Sequence, residues 1–457
     1  MPIEKPPRQA HILATKSPSS IFGPQTNSKD KRTFFLLITI GIVVSMTGFP
    51  TALWRDSWFY LANAQSIFSD DMQSFYYWVR EPGYPLLIRL VTEIFGKQDL
   101  TLVVIQSVMM SLAILIVVKY GSFQGESKRP RFVKSAILIG IFTSQYFGYS
   151  ATLLKQPLLV FLSALTVVAI RYIQSRRGRP ITTWLGTMMI VFFSSFISIS
   201  LSYTWVIVGV LTVIYTICLP NRDGEVPLTS VRKLGKIIVY SILTVFLSFQ
   251  VIGSGRSILS SYEVRVTGVV SDKTRLVETS SSGAIGRMIS KPASEIAEAL
   301  QNVGSLTMLG PTDNFEGVKE NNVFSAAQLE SRWICGLYDD YNPDPWTERF
   351  IEYGRYLETS CRSPLAQNLL RAIHPYTYRI YQLSMISMFL YVPLILFKRR
   401  FHDLALFAPA IWFLTLFSFG VRYTNDRYGL VLFPFGLLAL SQIVDSARKL
   451  IPAKEKV

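Results

Sequence analysis

The stretch Leu100–Val118 reads LTLVVIQSVMMSLAILIVV, an apolar run without a charged side chain. It is close to the roughly 20 residues an α-helix needs to cross a bilayer core. Blocks of similar character occupy Thr33–Leu53, Trp184–Leu201 and Tyr203–Leu219. Composition agrees: of 457 residues, 50% are apolar and 17% charged, with a mean hydropathy of +0.32. A soluble domain carries about 25% charged residues. The sequence therefore describes a polytopic membrane protein, and excludes a disordered chain, a disulfide-rich secreted module and a cytosolic enzyme.

The formal net charge of +16 would suit a nucleic-acid partner if it were spread over one face. It is not. Of 46 Lys and Arg, 26 fall in six short segments: the tail to Arg32, Lys119–Lys134, Arg171–Arg179, Arg222–Lys236, Lys398–Arg400 and Arg448–Lys456. Every second loop is basic, the positive-inside pattern of a multi-pass protein. The charge belongs to topology, and no nucleic acid is expected as a partner.

Residues 1–32, rich in Pro, Ser, Gln and Lys, read as a disordered cytoplasmic tail. Spans are expected near 33–53, 99–119, 132–150, 155–172, 184–201, 203–219, 235–253, 376–397, 403–421 and 428–445. With the N-terminus inside, these ten spans leave all six basic segments in the cytoplasm. The domain plan is then a cytoplasmic tail (1–32), seven spans with a first outer loop at 54–97 (33–253), and an extracytoplasmic domain (254–373). Three further spans (374–445) and a second cytoplasmic tail (446–457) complete it. The fold class is an all-α polytopic membrane protein in the plasma (inner) membrane, carrying a small mixed α/β domain outside. In that domain Tyr262–Glu278 alternates like a strand and Ala293–Val303 reads as a helix. Cys335 and Cys361 both fall there, and a disulfide between them is favoured over two free thiols.

The three histidines (His11, His374 and His402) are scattered, and no His or Cys cluster has metal-ligand spacing. Neither a Walker loop nor a Gly-x-Gly-x-x-Gly string occurs, so energy for any chemistry must arrive with the substrate. The first outer loop is more specific. It opens Trp54-Arg55-Asp56-Ser57-Trp58-Phe59-Tyr60, continues through a short helical segment to Arg80-Glu81-Pro82-Gly83-Tyr84-Pro85, and ends in an apolar helical piece closing at Phe95-Gly96. Its aromatic residues suit the bilayer interface. Two carboxylates are thereby held at the membrane surface, where one can serve as a general base. Read without further context, Asp56 or Ser57 is equally a helix cap and Pro82-Gly83 a turn.

An Asp just after the first span, an aromatic surface helix, and Arg-Glu-Pro-Gly-Tyr-Pro before a helix ending Phe-Gly together resemble the GT-C superfamily of membrane glycosyltransferases. The likeness is to bacterial relatives of the dolichyl-phosphate-mannose–protein mannosyltransferases. Arg422-Tyr423-Thr424-Asn425-Asp426-Arg427-Tyr428-Gly429, leading to Pro434, resembles the approach to that family's last helix. The resemblance implies transfer of a sugar from a polyprenyl-phosphate donor to an acceptor hydroxyl (on a glycan, lipid or protein) on the outer face, with inversion. It implies Asp56 as base. It also implies cations around the departing phosphate: Arg427, Arg422, Arg80 and Lys155, with Tyr428 beside them. Glu81 would orient the acceptor, hold a cation or pair with Arg80. Tyr60 and Tyr84 are the candidate rings for acceptor or sugar. No metal ligands are assigned, and a divalent cation stays open as a cofactor.

One departure matters. Where relatives carry an acidic residue before a proline at the start of the fourth span, this chain reads Lys155-Gln156-Pro157. Lys155 either serves a phosphate or snorkels to the interface. The arginines near Arg427 have an interfacial ion pair with Asp426 as their bland alternative. The segment from Trp333 through Asp339-Asp340 to Trp346 reads as a small core rather than a sugar platform. Two rival functions are a lipid or polysaccharide transporter, and a non-catalytic scaffold of an envelope assembly complex.

The charge alternation yields a direct test. Reporter fusions after Arg179, Arg232 and Arg400 should signal cytoplasm, and fusions near Gly286 and Asn342 the outer side. An outer signal at Arg232 would overturn the ten-span count.

Overall fold

The computed structural model describes residues 83–96, 99–121, 153–175, 180–198, 204–218, 292–307, 362–397, 401–420 and 429–450, with single residues inside 32–43 and 57–64 and at 140 and 146. Among these every regular element is helical and no strand occurs. The helices are α1 (Gly83–Phe95), α2 (Asp99–Gly121), α3 (Gln156–Ser175), α4 (Pro180–Ser198), α5 (Thr204–Cys218), α6 (Pro292–Thr307), α7 (Pro364–Phe397), α8 (Phe401–Leu404), α9 (Ala408–Gly420) and α10 (Phe433–Leu450). The expected strand over Tyr262–Glu278, the span over 235–253 and most of those over 33–53 and 132–150 lie outside the described residues.

Three described helices are long and apolar enough to cross a bilayer, over Leu100–Val117, Gln156–Gln174 and Arg379–Phe397. Shorter apolar helices cover Ile181–Ile197, Trp205–Ile217, Ala405–Ser418 and Leu430–Val444. Helix α6 corresponds to the helix expected over Ala293–Val303.

Helix starts follow proline. Pro180, Pro292 and Pro364 each open a helix, where a missing N–H costs nothing and the fixed φ is already helical. Before Pro364 the Ser363 hydroxyl accepts the Ala366 N–H at 3.3 Å, an N-cap. This start explains why α7 begins well before the span expected at 376. Asn368, Arg371 and His374 interrupt the apolar run but not the helix.

Two short 3-10 turns, Ala405–Phe407 and Leu430–Leu432, have one cause. Pro409 and Pro434 cannot donate to the carbonyls of Ala405 and Leu430, four residues earlier. The chain tightens instead, and the N–H groups of Ala408 and Phe433 bond those same carbonyls across three residues. In lipid, a backbone carbonyl must be satisfied within the protein.

Helix α3 is the centre of the assembly. It touches α2, α4, α5, α10 and both 3-10 turns. In its crossing segment 72% of residues are buried, against 39% for that of α7, which lies at the periphery. Around it α4 packs on α5, α5 on α9, α9 on α6, and α2 on α10, which in turn packs on α7. Ring stacking joins these contacts: Trp205 lies on Phe413 at 5.0 Å and Tyr381 on Phe433 at 5.6 Å.

Where helices cross closely, the residue is glycine. A Cβ at Gly209 would run into the Ser194 side chain, and one at Gly436 into Met385 and Ser384. Small residues at crossings are the usual basis of helix association in lipid. Buried hydroxyls turn back onto their own helix: Ser107 donates to the Val103 carbonyl at 2.7 Å and Thr216 to that of Thr212 at 2.7 Å.

At Gly429 the obstacle is backbone, the carbonyl of Leu306 at the end of α6, which has no rotamer to yield. Gly429→Ala should therefore destabilise by more than Gly209→Ala, whose neighbour is a serine side chain. Overpacking costs about 1–3 kcal/mol, and Gly429 should lie at or beyond the top of that range. Thermal unfolding of the two variants in one detergent tests the order, and equal midpoints would refute the close approach of α6.

Candidate functional site

The loop expected over 54–97 closes on itself through two tyrosines. Ser57, Tyr60, Leu61 and Ala64 are helical, and Ser57 is fully buried. The Tyr60 ring meets Tyr84, in the first turn of α1, edge to face at 5.0 Å and 84°. Tyr84 donates its hydroxyl proton to Gln106 Oε1 on α2. Both rings are 1% exposed. The two halves of the loop, one opening next to Asp56 and the other next to Glu81, are thus brought together and tied to α2. Stacking on a sugar would require a face of each ring to open; in the closed arrangement they frame the loop. Helix α1 ends at Phe95, where Gly96 takes φ 82° and its N–H bonds the Thr92 carbonyl at 2.9 Å.

Lys155 stands at the head of α3. Leu153 and Leu154 before it are fully buried, Lys155 itself is 4% exposed, and its carbonyl accepts the Leu159 N–H at 3.1 Å. A lysine is rarely buried to this degree. Its position adds to the cost, because a helix N-terminus is already positive and favours anions. An anionic group at this point, a carboxylate or a phosphate, is favoured both by the lysine and by the helix N-terminus. Snorkelling into water does not describe so buried a side chain. Next to it Gln156 is also buried, at 2% exposure.

The approach to the last helix is held by α6. Asn302 Nδ2 donates to the Ser418 carbonyl at 2.8 Å, and Leu306, one turn later, abuts Gly429. Tyr381 donates to the Gly429 carbonyl at 3.4 Å. The turn Leu430–Leu432 that follows packs against α3, the helix headed by Lys155.

Of the candidate residues, Lys155, Tyr60 and Tyr84 are described, all three buried. Asp56, Glu81, Arg80, Arg422, Arg427, Tyr428, Cys335 and Cys361 lie outside the described residues, as does the segment Trp333–Trp346. Among the described residues no group of His, Cys, Asp and Glu is placed to hold a metal ion.

Arg362 was not singled out by its sequence. It is 2% exposed, immediately before the Ser363 cap of α7, and its carbonyl accepts the Gln367 side-chain amide at 2.7 Å. Burial lowers its pKa from the ordinary guanidinium range to about 10, so the group stays charged at neutral pH. The available signal was Ser-Pro ahead of an apolar run, a helix-start pattern.

Compared with known proteins, the chain matches no family, no curated protein and no solved structure.

The Tyr84–Gln106 bond can be checked by a double-mutant cycle. Tyr84→Phe leaves Gln106 Oε1 without its donor and should cost about 1–3 kcal/mol. Adding Gln106→Leu should recover much of that loss. Additive losses in detergent unfolding would show that the bond contributes nothing.

Proposed function

We propose that this protein is a membrane glycosyltransferase of the GT-C type, with ten spans, both termini in the cytoplasm and a small mixed α/β domain outside the plasma membrane. It moves a sugar from a polyprenyl-phosphate donor to an acceptor hydroxyl at the outer face. The observation that carries the reading is the buried Lys155 ammonium at the N-terminus of the central helix. Ionisable groups buried in a membrane bundle are costly and mark substrate sites. In this reading, the phosphate of a lipid-linked donor that enters sideways from the bilayer lies beside Lys155 and the helix N-terminus.

Topology supports the same grouping. With ten spans, α3 and α10 both run inward from the outer face, so their N-termini share one side of the membrane. The turn Leu430–Leu432 also packs on α3. Arg422, Arg427 and Tyr428 precede Leu430 directly in sequence, and Asp56 precedes the buried Ser57. In this reading the Asp56 carboxylate takes the acceptor hydroxyl proton. The new bond from acceptor oxygen to anomeric carbon forms as the carbon–phosphate oxygen bond breaks, inverting the centre. Lys155 and Arg427, with Arg422, Arg80 and Tyr428, stabilise charge on the departing polyprenyl phosphate. Glu81 orients the acceptor, and the Tyr60–Tyr84 pair keeps the loop closed beneath it. A transporter would need charges along a mid-membrane path. In α3 the charged residues are confined to its two ends, Lys155 just before it and Arg171 in its last turns.

Asp56→Asn keeps shape and capping ability and removes the proton acceptor. It should insert normally and lose about two orders of magnitude in transfer from lipid donor, measured in membranes at matched protein levels. Lys155→Met should also lower transfer, with Lys155→Arg retaining more. Near-native transfer by Asp56→Asn would sink the mechanism, leaving Asp56 a helix cap.

A further inference from the structure

Helix α7 is the most open of the three long apolar helices, and the face it leaves uncovered is ordered. One side packs on α10, with Tyr381 on Phe433 and Met385 beside Gly436. On the other side Leu369, Leu383, Leu390 and Phe397 follow one another at 14, 7 and 7 residues. Leu365 and Ile386 stand four residues before Leu369 and Leu390. All six are exposed, Leu365 by 66% and Phe397 by 87%. Apolar residues at two positions of a seven-residue repeat, four and three apart, form the seam of paired helices.

Lipid can cover only part of this stripe. From Leu365 to Phe397 is 32 residues, about 48 Å of helix, against a hydrocarbon core of roughly 30 Å. At the usual tilt of about 20° the stripe still exceeds the core by about 15 Å. A face made for acyl chains turns polar where they stop. This one keeps Leu365 and Leu369 at one end and Phe397 at the other.

We propose that α7 pairs through this stripe with α7 of a second copy of the chain, parallel and in register, so that the protein is a homodimer. Two copies insert in the same orientation, and a two-fold axis along the bilayer normal then sets each of these residues opposite itself. The stripe is thereby matched at every depth, within the lipid and beyond it. An unrelated partner would have to reproduce the same pattern over the same length. The area suffices: if six large side chains per copy each lose roughly 80 Å² of surface, the pair buries about 1,000 Å², the size expected of a specific interface. Arg379 falls two heptads after Leu365, in the same register. Its guanidinium bonds Gln382 Oε1 at 3.4 Å on the flank of its own helix. Two like charges at that level limit the strength of the pair without setting its position. Nothing in this pairing depends on the transfer reaction proposed above.

The test is association in a bilayer. Full-length copies carrying donor or acceptor dyes are mixed in phosphatidylcholine vesicles and diluted with lipid, so that loss of energy transfer gives the dissociation constant. The wild type should associate as two copies. The double variant Leu365→Asp, Leu369→Asp should weaken association at least tenfold without moving the unfolding midpoint, because both side chains are exposed in the single copy. Arg379→Leu should strengthen it about threefold. Single cysteines test the geometry. Oxidised in membranes, Leu383→Cys, Ile386→Cys and Leu390→Cys should each give a product of twice the chain mass above the wild-type background. Ser384→Cys and Ser387→Cys, at buried positions, should not. Monomers throughout the dilution series, equal cross-linking at all five positions, or cross-links to a chain of another mass would overturn the pairing. So would a dimer indifferent to Leu365→Asp with Leu369→Asp, since the part of the stripe beyond the lipid is what singles out a second copy.

Discussion

The burial of Gln156–Ser175 organises the rest of the bundle. A helix surrounded on nearly all sides can offer its neighbours only side chains and the two ends of its backbone ladder. Along its length the demand is met by apolar packing and by hydroxyls such as Thr166, which bonds the Ser163 carbonyl at 2.6 Å. At its head the demand is different. The N–H groups of the first turn lose their intrahelical partners there, Pro157 having none to lose, and Lys155 adds a positive charge beside them. The most enclosed of the three long apolar helices is thus also the one that carries a buried lysine at its head.

Proline shapes the contacts on that helix. Both 3-10 turns that touch α3 arise because a proline four residues on cannot donate, and both leave the backbone slimmer at the point of contact. Glycine does related work elsewhere, at Gly209, Gly436 and Gly429. The last of these matters for the site, because α6 meets the chain on both sides of the arginine-bearing stretch, at Ser418 and at Gly429. Two contacts one turn apart on a single helix face fix the separation of those two points.

Much of the helical plan was legible in the sequence, for a physical reason: a segment surrounded by lipid must be apolar throughout, so runs such as Leu100–Val117 announce themselves. The stop at Gly96 was equally readable. Where apolarity and helicity part company the reading fell short. The first turns of α7 are helical but polar, and Pro409 and Pro434 alter hydrogen bonding without changing hydropathy. The last span was expected from 428 and the chain is described as helical from 429, yet nothing apolar or polar in Leu430–Leu432 marks a 3-10 turn. For the site, residue identity showed which groups carry charge but not which are withdrawn from water. Lys155 could be read as an exposed interfacial charge, and Arg362 sits in a mixed polar stretch that conceals its burial. The Tyr60–Tyr84 contact joins residues far apart in sequence, and as single aromatics they look like interface anchors.

Helix α7 has a further consequence, one of length and phase. Its 34 residues amount to about 51 Å, well beyond the roughly 30 Å of a hydrocarbon core. The crossing segment begins at Arg379, so the part from Pro364 to Tyr378 adds about 22 Å of helix above it. The helix is therefore a ruler, setting both the height and the bearing of Arg362. Deleting one residue from that upper part would lower the head by only about 1.5 Å but swing it through about 100°. Removing seven, close to two full turns, would drop it by about 10 Å and leave it facing nearly the same way. Height and direction of the segment before Pro364 are set by one counted stretch of helix, and they need not change together.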